Sequence, residues 1–238
     1  SIYYYSFKFL LMAKDPRTTK LAKLVVNYFL KVKDDSNVII SASTEAADFV
    51  TALYKAVLEA DAHPTLRLTL PGLGPIFYKY AKEHHIKKFP DIFQYTVKHA
   101  DYFIGVDTEN NTREMANVDP KKMTDRQIVT RPITDYIVNE REKIRRSTVG
   151  YPCVALAQEA EMSLDEYEDF VFAACLQNWD KLGKEIKKIL KKFQKGKKVH
   201  LLGRGVDLKF EIHGDKAKDD LDGDNIPCGE IFMAPVRE

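Results

Sequence analysis

Apolar positions recur along this chain with two different periods, and the alternation between them predicts an α/β architecture. After Asp15-Pro16, a cap followed by a first-turn proline, Leu21, Leu24, Val25, Tyr28 and Phe29 fall on one helical face. Val38-Ile39-Ile40 then reads as a short buried strand, and Phe49, Val50, Leu53 and Val57 restore helical spacing up to Ala60. A strand from Thr65 to Leu70 is closed by Pro71-Gly72-Leu73-Gly74-Pro75, and helical segments over Phe77–His85 and Pro90–His99 lead to a strand at Tyr102–Val106. Strand, helix and strand at this spacing predict a three-layer domain, a mostly parallel sheet flanked by helices.

The second half is patterned differently. Asp119-Pro120 opens a charge-rich helical stretch to about Arg146, and Pro132 predicts two helices or one kinked helix. Val154-Ala155-Leu156-Ala157 reads as a strand, and Ser163-Leu164-Asp165-Glu166 as a capping box for a helix that turns Tyr167, Phe170, Val171, Ala174 and Cys175 inward. From Trp179 a further helix buries Leu182, Ile186, Ile189, Leu190 and Phe193 and ends at Gly196. Two-residue alternation over Val199–His213 then predicts a hairpin turning at Gly203-Arg204-Gly205. The change from crossover helices to antiparallel strands sets the expected boundaries: an extension at 1–11, an α/β domain at 12–198 and an antiparallel segment at 199–238.

Composition narrows the function classes. With 238 residues the chain is long enough for one large or two modest domains, and 45% hydrophobic with 30% charged residues is ordinary for a globular protein. A net charge of +2 gives no argument for nucleic acid. Cys153, Cys175 and Cys228 are odd in number and widely spaced, which fits a reducing compartment rather than a disulfide framework or a structural zinc site. The aromatic run Ser1–Leu11 is far short of the ~20 apolar residues that span a bilayer and lacks the layout of a secretion signal. The expectation is a cytoplasmic protein with neither a membrane nor a nucleic-acid partner.

The chemistry concentrates in Asn225–Pro235, NIPCGEIFMAP, where Glu230 follows a Pro-x-Gly turn and precedes an apolar strand. A carboxylate held at the mouth of a strand suits a divalent cation, although a Gly-Glu pair there is commonly a turn followed by a solvated residue. The longer pattern favours the metal. Gly205, Asp207 and Leu208, then Asn225, Pro227, Gly229, Glu230, Phe232, Ala234 and Pro235, closely resemble the metallo-aminopeptidase family that includes aminopeptidase T and aminopeptidase S. The runs Met12–Ser41, Ala60–Gly72 and Tyr151–Trp179 are similar to earlier parts of that family in the expected order.

The resemblance implies a metal-dependent exopeptidase that removes N-terminal residues from short peptides, with Glu230 as the first metal ligand and residues 199–238 as the start of the catalytic domain. It implies two divalent ions, cobalt, zinc or manganese, that polarise the scissile carbonyl and generate a bound hydroxide. The family's second glutamate, two histidines, aspartate and catalytic tyrosine have no counterpart here. No catalytic residue is therefore assigned, and the chain is expected to be truncated and inactive alone, its metal site empty or weakly occupied. The expected assembly is a homo-oligomer, a dimer. The alternative is a non-catalytic α/β module for interaction or self-assembly.

Other signals carry less. Pro75 and Phe77 spoil Pro71–Pro75 as a phosphate cradle. His99-Ala100-Asp101 has the spacing of a metal clip, but the family's own pair follows the glutamate motif, so His99, like His84-His85, reads as an ordinary helix-end residue. The lysines of Lys181–Lys198 lack interleaved aromatics and read as a solvated helix face. The aspartates of Asp215–Asp224 lack the glycine and closing glutamate of a calcium loop.

Overall fold

Helix α1 (Pro16–Lys23) begins where the sequence predicts, with the Asp15 carboxylate accepting from the Arg17 amide at 2.8 Å, and widens into a π-helical turn over Leu24–Phe29. The computed structural model describes residues 15–236, so the extension at 1–11 lies outside the described residues. The chain divides into two units, one up to Leu176 and one from Gln177 onward.

In the first unit, β1 (Asn37–Ser43), α2 (Ala47–Glu59) and β2 (His63–Thr69) form the first crossover. Then come α3 (Leu73–Tyr80), α4 (Glu83–Lys87), α5 (Asp91–Lys98) and β3 (Tyr102–Asp107), followed by α6 (Pro120–Asn139) and β4 (Arg145–Gly150). The four strands lie in the order β2-β1-β3-β4, and every pair is parallel. This is the mostly parallel, helix-flanked sheet that the alternating periods predict.

The two sheet faces have separate cores because successive strand residues point to opposite sides. Val38 and Ile40 are fully buried, as are Leu21 and Val25 of the first helical segment and Phe49, Leu53 and Val57 of α2. Ile39 belongs to the opposite core, with Val97 of α5, Ala100, Ile133 of α6 and Ile144, against which Phe93 and Phe103 pack. The ring of Phe49 stacks on Tyr151 with centroids 4.7 Å apart. The Tyr151 hydroxyl donates to the Asp48 carboxylate at 2.6 Å and lies 3.1 Å from the buried Thr18 hydroxyl. Burial, reinforced by that carboxylate, raises the pKa of Tyr151 well above the ordinary phenol range.

Three expectations are corrected. The segment Val154–Ala157 is not a strand but part of helix α7 (Val154–Glu159), with Ala155 and Ala157 buried and Val154 exposed. A run of four apolar residues satisfies either period, and alanine favours the helix. The predicted helical stretch to Arg146 is one helix through Pro132 that stops at Asn139, and its last residues enter β4 instead. Within β4 the inward residues are Ser147 and Val149, both fully buried, so its alternation is not hydrophobic and stays hidden in the sequence. The predicted helix over Phe77–His85 is two helices, α3 and α4.

Helix α8 (Leu164–Cys175) carries the expected capping box: the Ser163 hydroxyl accepts from the Glu166 amide at 3.3 Å, and the Glu166 carboxylate accepts from the Ser163 amide at 3.0 Å. Ser163→Ala is expected to destabilise the protein by about 1 kcal/mol, read as a lower urea midpoint with unchanged slope. An unchanged midpoint would show that the cap contributes nothing.

The second unit begins with α9 (Trp179–Lys195), which buries Trp179 and Ile186 and turns its lysines outward. The hairpin pairs β5 (Lys198–Gly203) with β6 (Val206–Glu211), closed by Arg204-Gly205, where Gly205 has φ +75°. Gly214 sits so close to the carbonyls of Phe193 and Gly196 that a Cβ would collide with both. A short antiparallel pair, Lys218–Asp219 with Ile231–Phe232, completes the unit.

Candidate metal-ligand segment

Glu230 is fixed through its backbone. The Gly229 amide donates to the Asp220 carbonyl at 2.7 Å, and the Asp220 amide donates to the Glu230 carbonyl at 2.9 Å. Beyond this, Ile231 pairs with Asp219 and Phe232 with Lys218. Gly229 adopts φ +107°, which calls for glycine, and a Cβ there would lie 3.3 Å from Ile186 and 3.4 Å from Trp179, a tight fit against their side chains. The preceding Ile226-Pro227 peptide is cis, and Ile226 is buried. The Gly229 turn leans on α9 and is held by backbone hydrogen bonds, while the Glu230 side chain is exposed.

The surroundings are acidic. Burial, a hydrogen bond that the protonated Asp220 carboxyl donates to Asp222, and the charges of Glu230, Asp222 and Asp224 push the Asp220 carboxyl up to about 6. Burial, helped by the charges of Asp220, Asp222 and Glu230, pushes the Cys228 thiol up to about 12. Among the described residues no group of three or more His, Cys, Asp or Glu is arranged to hold a metal ion. Glu230 offers one carboxylate, and the donor set around it does not by itself fit a metal centre.

The weaker signals find ordinary structural uses. His99 Nδ1 meets the Tyr95 carbonyl at 2.8 Å, and the Asp101 carboxylate accepts from the Asn37 amide at 2.8 Å, so the apparent clip serves a helix end and a strand start. At the Gly-rich turn the Glu114 carboxylate takes the Gly72 amide, which a phosphate cradle would need free. The three cysteines are free thiols. Among the described residues no helix is long and apolar enough to cross a membrane.

A sequence profile of the thermophilic metalloprotease (M29) family matches residues 14–238, and the chain belongs to that family. Among solved structures, wild-type AmpT from Thermus thermophilus is similar with a TM-score of 0.69 and 19% identity, over 94% of this chain and 62% of that one. A 2,5-dihydroxypyridine dioxygenase from Pseudomonas putida is similar with a TM-score of 0.51 and 13% identity, over 94% of this chain and 57% of that one. At such identities the likeness shows the fold. This chain therefore spans less than two thirds of the length of either structure. No curated protein matches it.

Proposed function

We propose that this chain forms part of a metal-dependent aminopeptidase that releases N-terminal residues from short peptides, with Glu230 as one ligand of a divalent-metal centre. The observation that carries the reading is the family match across residues 14–238, joined to the position of Glu230 within the Asn225–Pro235 pattern. Its main chain is held by the hydrogen bonds of Gly229 and Asp220, and its carboxylate is exposed. Cobalt, zinc or manganese suits a carboxylate partnered by imidazoles and further carboxylates. The remaining ligands would come from outside the described residues, since those residues assemble no group of three.

A polypeptide of these 238 residues alone is accordingly expected to be folded and inactive. Aminoacyl p-nitroanilides with added cobalt, zinc or manganese should be hydrolysed no faster than in a metal-only blank. Turnover well above the blank, abolished by EDTA and restored by metal, would overturn the inactivity of this stretch and place the missing ligands within it or on a second copy. A longer polypeptide that carries this chain with the other ligands should show that metal-restorable activity. Absence of any release from short peptides there would overturn the aminopeptidase reading itself.

A further inference from the structure

A sheet covered by helices on both sides ordinarily carries apolar side chains on both faces, and one face of this sheet does not. In the parallel register Arg67 lies beside Ser41, Ser41 beside Gly105, and Gly105 beside Thr148, so these four residues form one row on one face. The adjoining row on that face is Thr65, Ile39, Phe103 and Arg146. Only Ile39 and Phe103 of the eight are large and apolar. All of the eight but Ser41 and Gly105 line an open cleft that Phe93 of α5 and Arg126 of α6 border. It has two adjoining lobes of about 700 and 540 Å³, with Arg67, Pro90, Phe93 and Arg126 common to both. That size suits a small organic ligand.

Two of the cations in the cleft, Arg67 and Arg126, have no carboxylate partner among the described residues. The Arg67 guanidinium lies 4.2 Å from the centre of the Phe93 ring and donates to the Ser41 hydroxyl at 3.1 Å, and among the described residues it forms no ion pair with a carboxylate. Desolvation lowers its pKa from the ordinary arginine value, with no acidic group acting in the opposite direction. Arginine stays protonated nonetheless. Arg126 donates through Nη1 to the carbonyls of Ile86, at 3.2 Å, and Lys88, again with no carboxylate partner among the described residues. The one acid that lines the cleft, Asp91, is held by Lys88 at 2.8 Å. Two guanidinium groups thus converge on a space walled by Leu66, Phe89 and Phe93. Arg67 is exposed and Arg126 half-buried, so both are open to an incoming anion, and the apolar wall beside them would strengthen the pairing.

We propose that this cleft binds a small organic oxyanion, a carboxylate or phosphate borne on a flat apolar body, with Arg67 and Arg126 on the anion and Phe89 and Phe93 against the body. Arginine presents forked donors to either oxyanion, and Phe93 already holds Arg67 in a fixed orientation. All of these residues belong to the first unit, whereas Glu230 belongs to the second, so the proposal stands apart from the peptidase reading.

The test is a ¹⁵N NMR titration of the 238-residue chain at low salt with phenyl phosphate and benzoate, each beside a neutral counterpart, benzyl alcohol and benzamide. At least one anion should give saturable shifts around Arg67, Phe93 and Arg126 and bind about tenfold or more tightly than its neutral counterpart, as expected for charge-assisted hydrogen bonds. A preference for phenyl phosphate identifies a phosphate ligand, and a preference for benzoate a carboxylate. Arg67→Met and Arg126→Met should each weaken the anion by about tenfold while leaving the spectrum outside the cleft unchanged. Equal binding of the anion and its neutral counterpart, an absence of saturable shifts, or full retention by both variants would overturn the proposal. The comparison of anion with neutral counterpart needs no variant, so a variant that fails to fold does not protect it.

Discussion

Phe49→Ala is expected to destabilise the protein by about 3–5 kcal/mol, the cost of deleting a fully enclosed aromatic ring. Phe49 has no exposed surface and lies parallel to the Tyr151 ring, with 1° between the planes. Tyr151 in turn meets Phe172 edge to face, with centroids 6.1 Å apart. The alanine variant therefore loses the transfer free energy of one ring and the support of a second. That second ring orients the hydroxyl shared by Asp48 and Thr18, and a shift there would strain a buried polar contact that the cavity term omits. Since a domain of this kind is stable by only about 5–15 kcal/mol, urea unfolding should show a midpoint far below wild type. Ile92→Ala, at a side chain that is 87% exposed, should stay within about 0.5 kcal/mol. Similar midpoints for the two variants would mean that Phe49 is not the centre of the core.

Glu230→Gln should be the most damaging single change to the proposed metal chemistry. In a polypeptide with the complete ligand set, retained metal per chain and metal-dependent turnover should each fall by about 100-fold or more, since even the partners of metal ligands matter by 10–100-fold. The amide keeps the shape of the side chain and removes its charge. Because the local backbone is held by hydrogen bonds of Gly229 and Asp220 that do not involve the carboxylate, folding should be untouched. Glu211→Gln is the matched control: Glu211 lies on the exposed hairpin and pairs with Lys198, at 3.3 Å. Metal content by elemental analysis and turnover on a short peptide are the two readouts. Wild-type values for both in the glutamine variant would remove Glu230 from the metal centre.

Features encoded over a few neighbouring residues were legible before any coordinates. The start of α1 at Asp15-Pro16, the capping box at Ser163–Glu166 and the turn at Gly203–Gly205 all appear where short-range rules put them. The Gly229 hinge belongs with these, because a positive φ next to α9 leaves glycine as the residue that fits. Strand β4 escaped detection since polar Ser147, rather than an apolar residue, fills one of its buried positions. The α7 segment was misread because four apolar residues in a row do not distinguish a strand from a short helix.

The sequence by itself determined the alternation of helix and strand, the caps and turns that bound them, and the family pattern around Glu230. Only the tertiary structure decided which strands are neighbours, and with that, which residues share a face. Arg67 on β2 and Arg126 on α6 are far apart in the chain, and each taken alone is an unremarkable surface-type arginine. They converge because parallel pairing carries β2 to the edge beside β1 while α6 crosses the same face. Local propensity acts within a few residues, whereas the charge balance of a cleft depends on every group that folding brings to it, and no periodicity along the chain records that sum.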